Sequence, residues 1–284
     1  MTSTTAAAGR LVVCPTPIGN LEDVTLRVLA TLRAADVVAC EDTRHTRVLL
    51  DRYGITATLV SVHEHNERAR TGELLARVRD GALVALVSDA GTPLISDPGF
   101  ALVRECIAAG LALEVLPGPS AVITALVASG LAAERWRFAG FLPRGRRELR
   151  ELLGDAGETL IAFESPRRLA GTLELLAEQE PDRAVVVCRE LTKLHEEVRR
   201  GTACELASHY REQPARGEVV LVIAPAAAAQ VGEARRREAV SAVGELVDAG
   251  ARPRAAAAAV ARLTGLKAND LYAELVRERG SATG

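Results

Sequence analysis

Aromatic side chains are scarce in this 284-residue chain: Phe, Tyr and Trp make up 3% of it. Its cores must therefore be aliphatic, and 48% hydrophobic against 25% charged residues supplies enough Leu, Val, Ile and Ala to build them. No apolar run approaches the roughly 18 residues of a membrane span. The opening "MTSTTAAAGR" also lacks the basic start and apolar stretch of a signal peptide. A cytoplasmic chain with no membrane contact is the expectation. Neither sign of charge dominates: a net charge of −2 and a pI near 6.3 exclude a globally basic nucleic-acid coat and leave room only for a local patch. The five cysteines (Cys14, Cys40, Cys106, Cys188, Cys204) never come closer than 16 residues, so zinc-knuckle and thioredoxin-like pairs lack support. Cys14, Cys40 and Cys188, within or at the ends of apolar runs, read as small buried hydrophobes in a reducing cytosol. G-x-G-x-x-G and G-x-x-x-x-G-K-[ST] are both missing, which removes the usual dinucleotide and P-loop readings.

What is present is alternation. "RLVVCPT" (10–16), "DVVAC" (36–40), "ATLVSV" (57–62), "ALVALVSD" (82–89) and "LEVLPG" (113–118) read as strands. Helical patterns separate them at 23–35, 43–54, 67–81 and 99–110, and another follows at 120–130. In the first helix Leu26, Val28, Leu29 and Leu32 are expected on the apolar side. Continuous β-branched runs between helices imply a parallel sheet covered on both faces, with ligands beyond the carboxyl ends of its strands. A second set, from 135 to 225, has hairpin-like connections and predicts a mixed sheet. Residues 235–280 show no strand signal and read as two or three helices around a Thr-Gly turn. That pattern fits a DNA-binding helix-turn-helix, an RNA-contacting element or a small packing unit. The fold class is α/β: two α/β domains (10–118 and 119–225) plus a small all-helical tail (235–280).

The densest turn chemistry lies in "SDAGTPLISDPG" (88–99). Gly91 and Gly99 permit close approach of backbone to a ligand, and Pro93 and Pro98 stiffen the turn. The helix start near Gly99 offers free N–H groups to a carboxylate or phosphate. Lys and Arg are absent from 83–103 while Asp89 and Asp97 are present, so a ligand with an ammonium as well as a carboxylate fits better than a bare anion. A magnesium site and a purely structural turn are the rivals. "PTPIGN" (15–20) and "PGPSA" (117–121) place similar rigid turns after other strands.

Together "CPTPIGNLEDVTLRVL", "CEDTRHTRVLL", "HEHNE", "SDAGTPLISDPG", "PGPSA", "GFLPR", "ESPRRL" and "RELTKLHEEV" resemble the tetrapyrrole-methylase (class III) S-adenosylmethionine methyltransferases. More narrowly they resemble the bacterial branch that 2′-O-methylates a cytidine in the decoding centre of 16S ribosomal RNA. The likeness runs from about residue 10 to 225. It implies two α/β domains with S-adenosylmethionine in the cleft between them, a homodimer, and 16S rRNA in the small ribosomal subunit as substrate. By position it implies Ile18 and Gly19 in a first cofactor loop, and Ala90, Gly91, Thr92 and Ile95 in a second. Ser120 and Ala121 fall in a third, with Glu164 and Leu191 from the second domain. Relatives acting on tetrapyrroles have "GPGD" and "GGDP" where this chain has "PIGN" and "AGTP".

A ribose hydroxyl is a weak nucleophile, so a base or polarising hydrogen bond helps methyl transfer. Glu41, Asp42 and His63 are the catalytic candidates. Glu41 matches an aspartate implicated in proton transfer in siroheme-synthesising relatives, and His63 falls near a lysine of theirs. The bland reading of "ED" is a helix N-cap. His63 and His65 would share a strand face as a metal pair or a substrate-contacting loop, but without a clear third ligand no metal is assigned. For RNA, Arg144, Arg146, Arg147 and Arg150 in "RGRRELR", with Arg44 and His45, form the basic candidates. A solvated helix face is the alternative for 144–150. Two rivals to the whole reading remain: a same-fold methyltransferase acting on a tetrapyrrole or other small molecule, and a DNA-binding regulator.

Overall fold

The computed structural model describes residues 9–63, 66–154, 157–226 and 228–281. The first sheet is built from β1 (Arg10–Val13), β2 (Val37–Cys40), β3 (Leu59–Ser61), β4 (Leu83–Leu86) and β5 (Ala112–Val115). Its order is β3-β2-β4-β1-β5, and every pairing is parallel. The crossovers are α1 (Leu26–Ala34), α2 (Thr43–Arg52), α3 (Glu67–Arg79) and α4 (Phe100–Ala108). Strand residues alternate between two cores. Val12, Val38 and Ala85 pack under α1 and α2, while Leu11, Ala39 and Leu86 pack under α3 and α4. This period-2 alternation is what a sheet buried on both faces requires.

One sequence expectation fails here. Leu26 is 84% exposed, while Val28, Leu29 and Leu32 are buried. At ~100° per residue, Leu26 stands more than ~100° from the centre of that buried arc, and the Thr25 hydroxyl starts the helix by accepting from the Val28 N–H. The strand ends are also shorter than their apolar runs, because the last residues of each run turn into the loops.

The second sheet comprises β6 (Trp136–Phe141), β7 (Thr159–Glu164), β8 (Ala184–Arg189), β9 (Glu197–Thr202) and β10 (Val219–Ile223). Its order is β6-β7-β10-β8-β9, parallel between β6 and β7 and antiparallel elsewhere. On one face lie α6 (Arg146–Gly154), α7 (Leu169–Gln179) and α8 (Ala203–Glu212). On the other, α5 (Ala121–Ser129) buries Val122, Ala125 and Leu126 against Ile161, Val186 and Val222. Ile18 from the first α/β unit joins that same cluster.

Three tail helices, α9 (Ala228–Asp248), α10 (Pro253–Thr264) and α11 (Ala268–Ser281), share a small core of Val240, Val243, Ala257, Val260 and Leu271. Gly265 ends α10 in the left-handed conformation at φ 75°, the Thr-Gly turn of the sequence reading. The tail starts several residues earlier than its sequence pattern indicates. Four cysteines are buried and Cys204 is exposed; burial pushes the Cys14 thiol up to about 12.

Candidate active site

β4, β1 and β5 are neighbours, so the loops following them meet at their carboxyl ends. Short polar contacts knit these loops together. Thr16 and Gly91 exchange backbone hydrogen bonds of 2.8 and 3.0 Å. The Thr16 hydroxyl donates to the Ser88 carbonyl at 3.0 Å, and the Ser88 hydroxyl to the Gly91 carbonyl at 3.2 Å. The Thr92 hydroxyl donates to the Pro119 carbonyl at 3.2 Å, joining the second loop to the third. Within 91–99, Gly91 (φ 75°) and Gly99 (φ 116°) are left-handed, as are Leu94 (75°) and Ser96 (68°). Two non-glycine residues held there are strained, which a structure tolerates mainly at functional loops.

A cavity of ≈ 430 Å³ opens beside these loops, within the roughly 300–1,000 Å³ of small-molecule sites. Nine of the ten cofactor candidates line it: Ile18; Ala90, Gly91, Thr92 and Ile95; Ser120 and Ala121; and, from the second sheet, Glu164 and Leu191. Gly19 does not. It abuts the segment after β8, where a Cβ would lie 2.5 Å from Lys193 Cγ and 2.8 Å from Thr192 Oγ1. Its role is to let the first loop close on the second α/β unit. Buried Glu164 accepts from the Thr172 hydroxyl and the Ser165 N–H, both at 2.6 Å, and faces Arg168 at 3.3 Å.

The two helix starts at this edge behave oppositely. At α4, Glu67 Oε1 accepts from the N–H of Gly99 (3.1 Å) and Ala101 (2.8 Å), so that terminus is already occupied. The expectation of free N–H groups near Gly99 is therefore corrected, and the Gly91 N–H is likewise spent on Thr16. At α5, Ser120 makes no side-chain cap, and Ser120, Ala121 and Val122 line the cavity. This open terminus suits a ligand carboxylate. Removing the α4 cap by Glu67→Ala is expected to cost about 1–2 kcal/mol, read from the urea midpoint.

Among the acids, Asp97 lines the cavity, whereas Glu41, Asp42 and His63 stand at the ends of β2 and β3 and do not. The ends of β2, β3 and β4 are cross-linked: the Asp42 N–H donates to Asp89 Oδ1 (3.1 Å), and the Ser61 hydroxyl donates to the Glu41 carbonyl (3.1 Å). Burial, then the Asp89 charge, raises Glu41, and His63 acts against this. Burial, then Glu41 and Asp89, pushes Asp97 up to about 6 although the Ser88 hydroxyl opposes the rise. Asp42 instead caps α2, accepting from the Arg44 N–H at 2.8 Å and pairing with its guanidinium at 2.7 Å. Those hydrogen bonds hold it at about 2. The His63 N–H donates to Asn66 Oδ1 (2.9 Å), and Asn66 Nδ2 lies 3.1 Å from His63 Nε2. His63 lies beyond the end of β3, so no shared strand face exists for it; His65 lies outside the described residues.

The basic candidates are exposed but largely paired. Arg146 and Arg150 share Glu178 at 2.7 and 2.6 Å, and Arg147 pairs with Glu151 at 2.8 Å. Arg144 is in no ion pair among the described residues, and His45 sits in the first turn of α2 beside the Asp42–Arg44 pair. Sequence reasoning missed Asp97 as a cavity acid of raised pKa, and Phe141, Phe163 and Glu190 as cavity lining. Asp97 carried a signal, since it shares a motif with Gly91. Phe141 and Phe163 carried none, because only the β6–β7 register sets them side by side at the cavity.

A family model described as Tetrapyrrole (Corrin/Porphyrin) Methylases matches residues 10–207. "Ribosomal RNA small subunit methyltransferase I" of Escherichia coli O157:H7 is 43% identical over 278 residues, covering 96% of both chains. The protein of the same name from Thermotoga maritima is 46% identical over 217 residues, covering 76% of this chain and 98% of that one. Among solved structures, uroporphyrin-III C-methyltransferase of Thermus thermophilus, complexed with S-adenyl homocysteine, superposes with a TM-score of 0.53 at 20% identity. That match covers 76% of this chain and 97% of the other, and shows the fold. The chain belongs to the tetrapyrrole methylase family, and within it to the group whose members are named ribosomal RNA small subunit methyltransferase I.

Proposed function

We propose that the chain methylates the 2′-hydroxyl of a cytidine in the decoding centre of 16S ribosomal RNA, using S-adenosylmethionine and acting as a homodimer on the assembled small subunit. The near-full-length identity to relatives of that name carries the reading. The donor set fits the cofactor. The open start of α5 accommodates a carboxylate, Asp97 gives the cavity wall negative charge, and Ile18, Leu191 and Val220 offer an apolar surface to a purine. When bound, S-adenosylmethionine supplies a methyl group on a positively charged sulfur, a good leaving group.

The chain's own residues then have two tasks. The knitted loops hold both reactants in line, which removes much of the entropic barrier. Asp97, raised into the range where a carboxylate accepts a proton readily, would take the proton of the 2′-hydroxyl as the O–methyl bond forms and the sulfur–methyl bond breaks, and Glu41 keeps its pKa raised. Asp42 positions α2 and Arg44. His63 opposes the rise at Glu41.

The test is transfer of labelled methyl from S-adenosylmethionine to small subunits lacking decoding-centre modification, with the modified nucleotide mapped. One 2′-O-methylcytidine at that site is expected. Label on a base, at another nucleotide, or nowhere would reject the proposal.

A further inference from the structure

A second concave site lies on the other face of the second sheet, between β8, β9, the end of α8 and the 213–216 loop. Its volume is ≈ 320 Å³. Arg189, Arg199, Arg216, His209 and Tyr210 line it, with Glu197 as its one carboxylate. Glu197 is shared: Arg189 Nε approaches one oxygen at 3.1 Å and Arg199 Nε the other at 2.8 Å. Both guanidiniums are thereby oriented through Nε. Arg189 spends one terminal nitrogen on the Arg216 carbonyl at 3.1 Å. The Arg216 side chain makes no ion pair or hydrogen bond among the described residues. Tyr210 is 3% exposed, and its hydroxyl lies beside the Arg199 guanidinium, which carries donors and no acceptor. The buried O–H proton meets no acceptor among the described residues, and an acceptor oxygen entering the pocket would satisfy it.

Three guanidiniums against one carboxylate leave a net charge of +2 in a concave setting. The α6 face has four arginines against Glu148, Glu151 and Glu178, and three of those arginines are already paired. The pocket is therefore the stronger anion site. It also adjoins the larger cavity. Arg189 and Arg216 are followed directly by Glu190 and Gly217, which line that cavity, and bonded neighbours have Cα atoms ~3.8 Å apart. The junction is rigid: Glu190 is left-handed at φ 51°, and its carboxylate accepts from the Glu218 N–H (2.9 Å) and from Lys193 (3.0 Å).

We propose that the arginine-lined pocket seats a backbone phosphate of the RNA strand whose ribose is presented at the larger cavity. The proposal rests on the RNA reading above. Guanidinium forks and a hydroxyl donor match the oxygens of a phosphodiester, and such contacts set the register of a strand without reading its sequence. Phosphate chemistry could also come from a small free anion, and the experiment separates the two.

The full-length protein is titrated with a labelled single-stranded RNA of decoding-centre sequence across a salt series. Wild type is compared with Arg216→Glu, Arg216→Lys and the α6 variant Arg147→Glu. Arg216 has no ion pair to lose, so its variants are expected to fold normally. Arg216→Glu is expected to weaken RNA binding at least ~10-fold at low salt and to lower the log–log salt slope by roughly 0.7–1, while Arg216→Lys retains most of the affinity. Cofactor binding by calorimetry and kcat on saturating small subunits stay at wild-type levels, with KM raised. Arg147→Glu changes the slope less. Wild-type affinity and slope in Arg216→Glu overturn the proposal, as does binding of inorganic phosphate in the pocket that RNA cannot displace. Labelled transfer by wild type is run beside these titrations. If it succeeds while Arg216→Glu binds like wild type, only the pocket assignment falls. If wild type neither binds nor methylates RNA, the functional reading falls with it.

Discussion

Asp97→Asn is expected to lower kcat for methyl transfer by about 100- to 10,000-fold, the range removed with a positioned general base. Cofactor affinity should stay within a few-fold of wild type. In wild type, kcat/KM should rise with pH through about 6 and then level off, because Asp97 acts as a carboxylate and is held up by burial and by Glu41. Positive charge bound in the cleft favours that carboxylate, so the corresponding limb in kcat lies lower. Glu41→Gln removes a neighbouring negative charge and should move the kcat/KM limb to lower pH. The stability effect has the opposite sign to the activity effect. A carboxyl raised from 3.8 to about 6 contributes stability below its unfolded value that is lost as pH rises through 6. Asp97→Asn should therefore stabilise the protein at pH 8 by about 1–3 kcal/mol, seen as a higher Tm. Lost cofactor affinity with kcat preserved would instead assign Asp97 to the ligand's ammonium group.

Ala121→Trp should weaken S-adenosylmethionine binding by at least ~100-fold, about 2.7 kcal/mol, measured by calorimetry. Ala121 opens α5 at an uncapped helix terminus that faces the cavity, and an indole there fills the space a carboxylate would occupy. The first position of a helix tolerates large side chains, so the Tm should shift by only a few degrees. Ala121→Ser, which leaves the terminus open, should bind within a few-fold of wild type. Retained affinity in the Trp variant would move the cofactor away from the α5 terminus.

The basic arginines show where local reading stops. "RGRRELR" looks like a phosphate grip in sequence, yet Glu178 from α7 and Glu151 one turn on take up three of its four charges. Arg189, Arg199 and Arg216 attract no attention in sequence because they are scattered over 28 residues. The β8–β9 pairing and the 213–216 loop bring them together.

The α/β alternation, the parallel first sheet, the mixed second sheet and the three Gly/Pro-bearing loops that line the cavity were legible because periodicity and turn chemistry are local. Apolar residues at period 2 or 3.6 and rigid Gly/Pro turns act over a few residues wherever the chain goes. Long-range pairing decided the rest. Glu67, the first residue of α3, closes the α4 terminus that the sequence leaves open. Asp97 has a raised pKa only because folding buries it near Glu41 and Asp89, which follow β2 and β4. A carboxyl's pKa and a helix end's availability depend on which groups arrive from elsewhere in the chain. That information is set by packing and is carried by no short stretch of sequence.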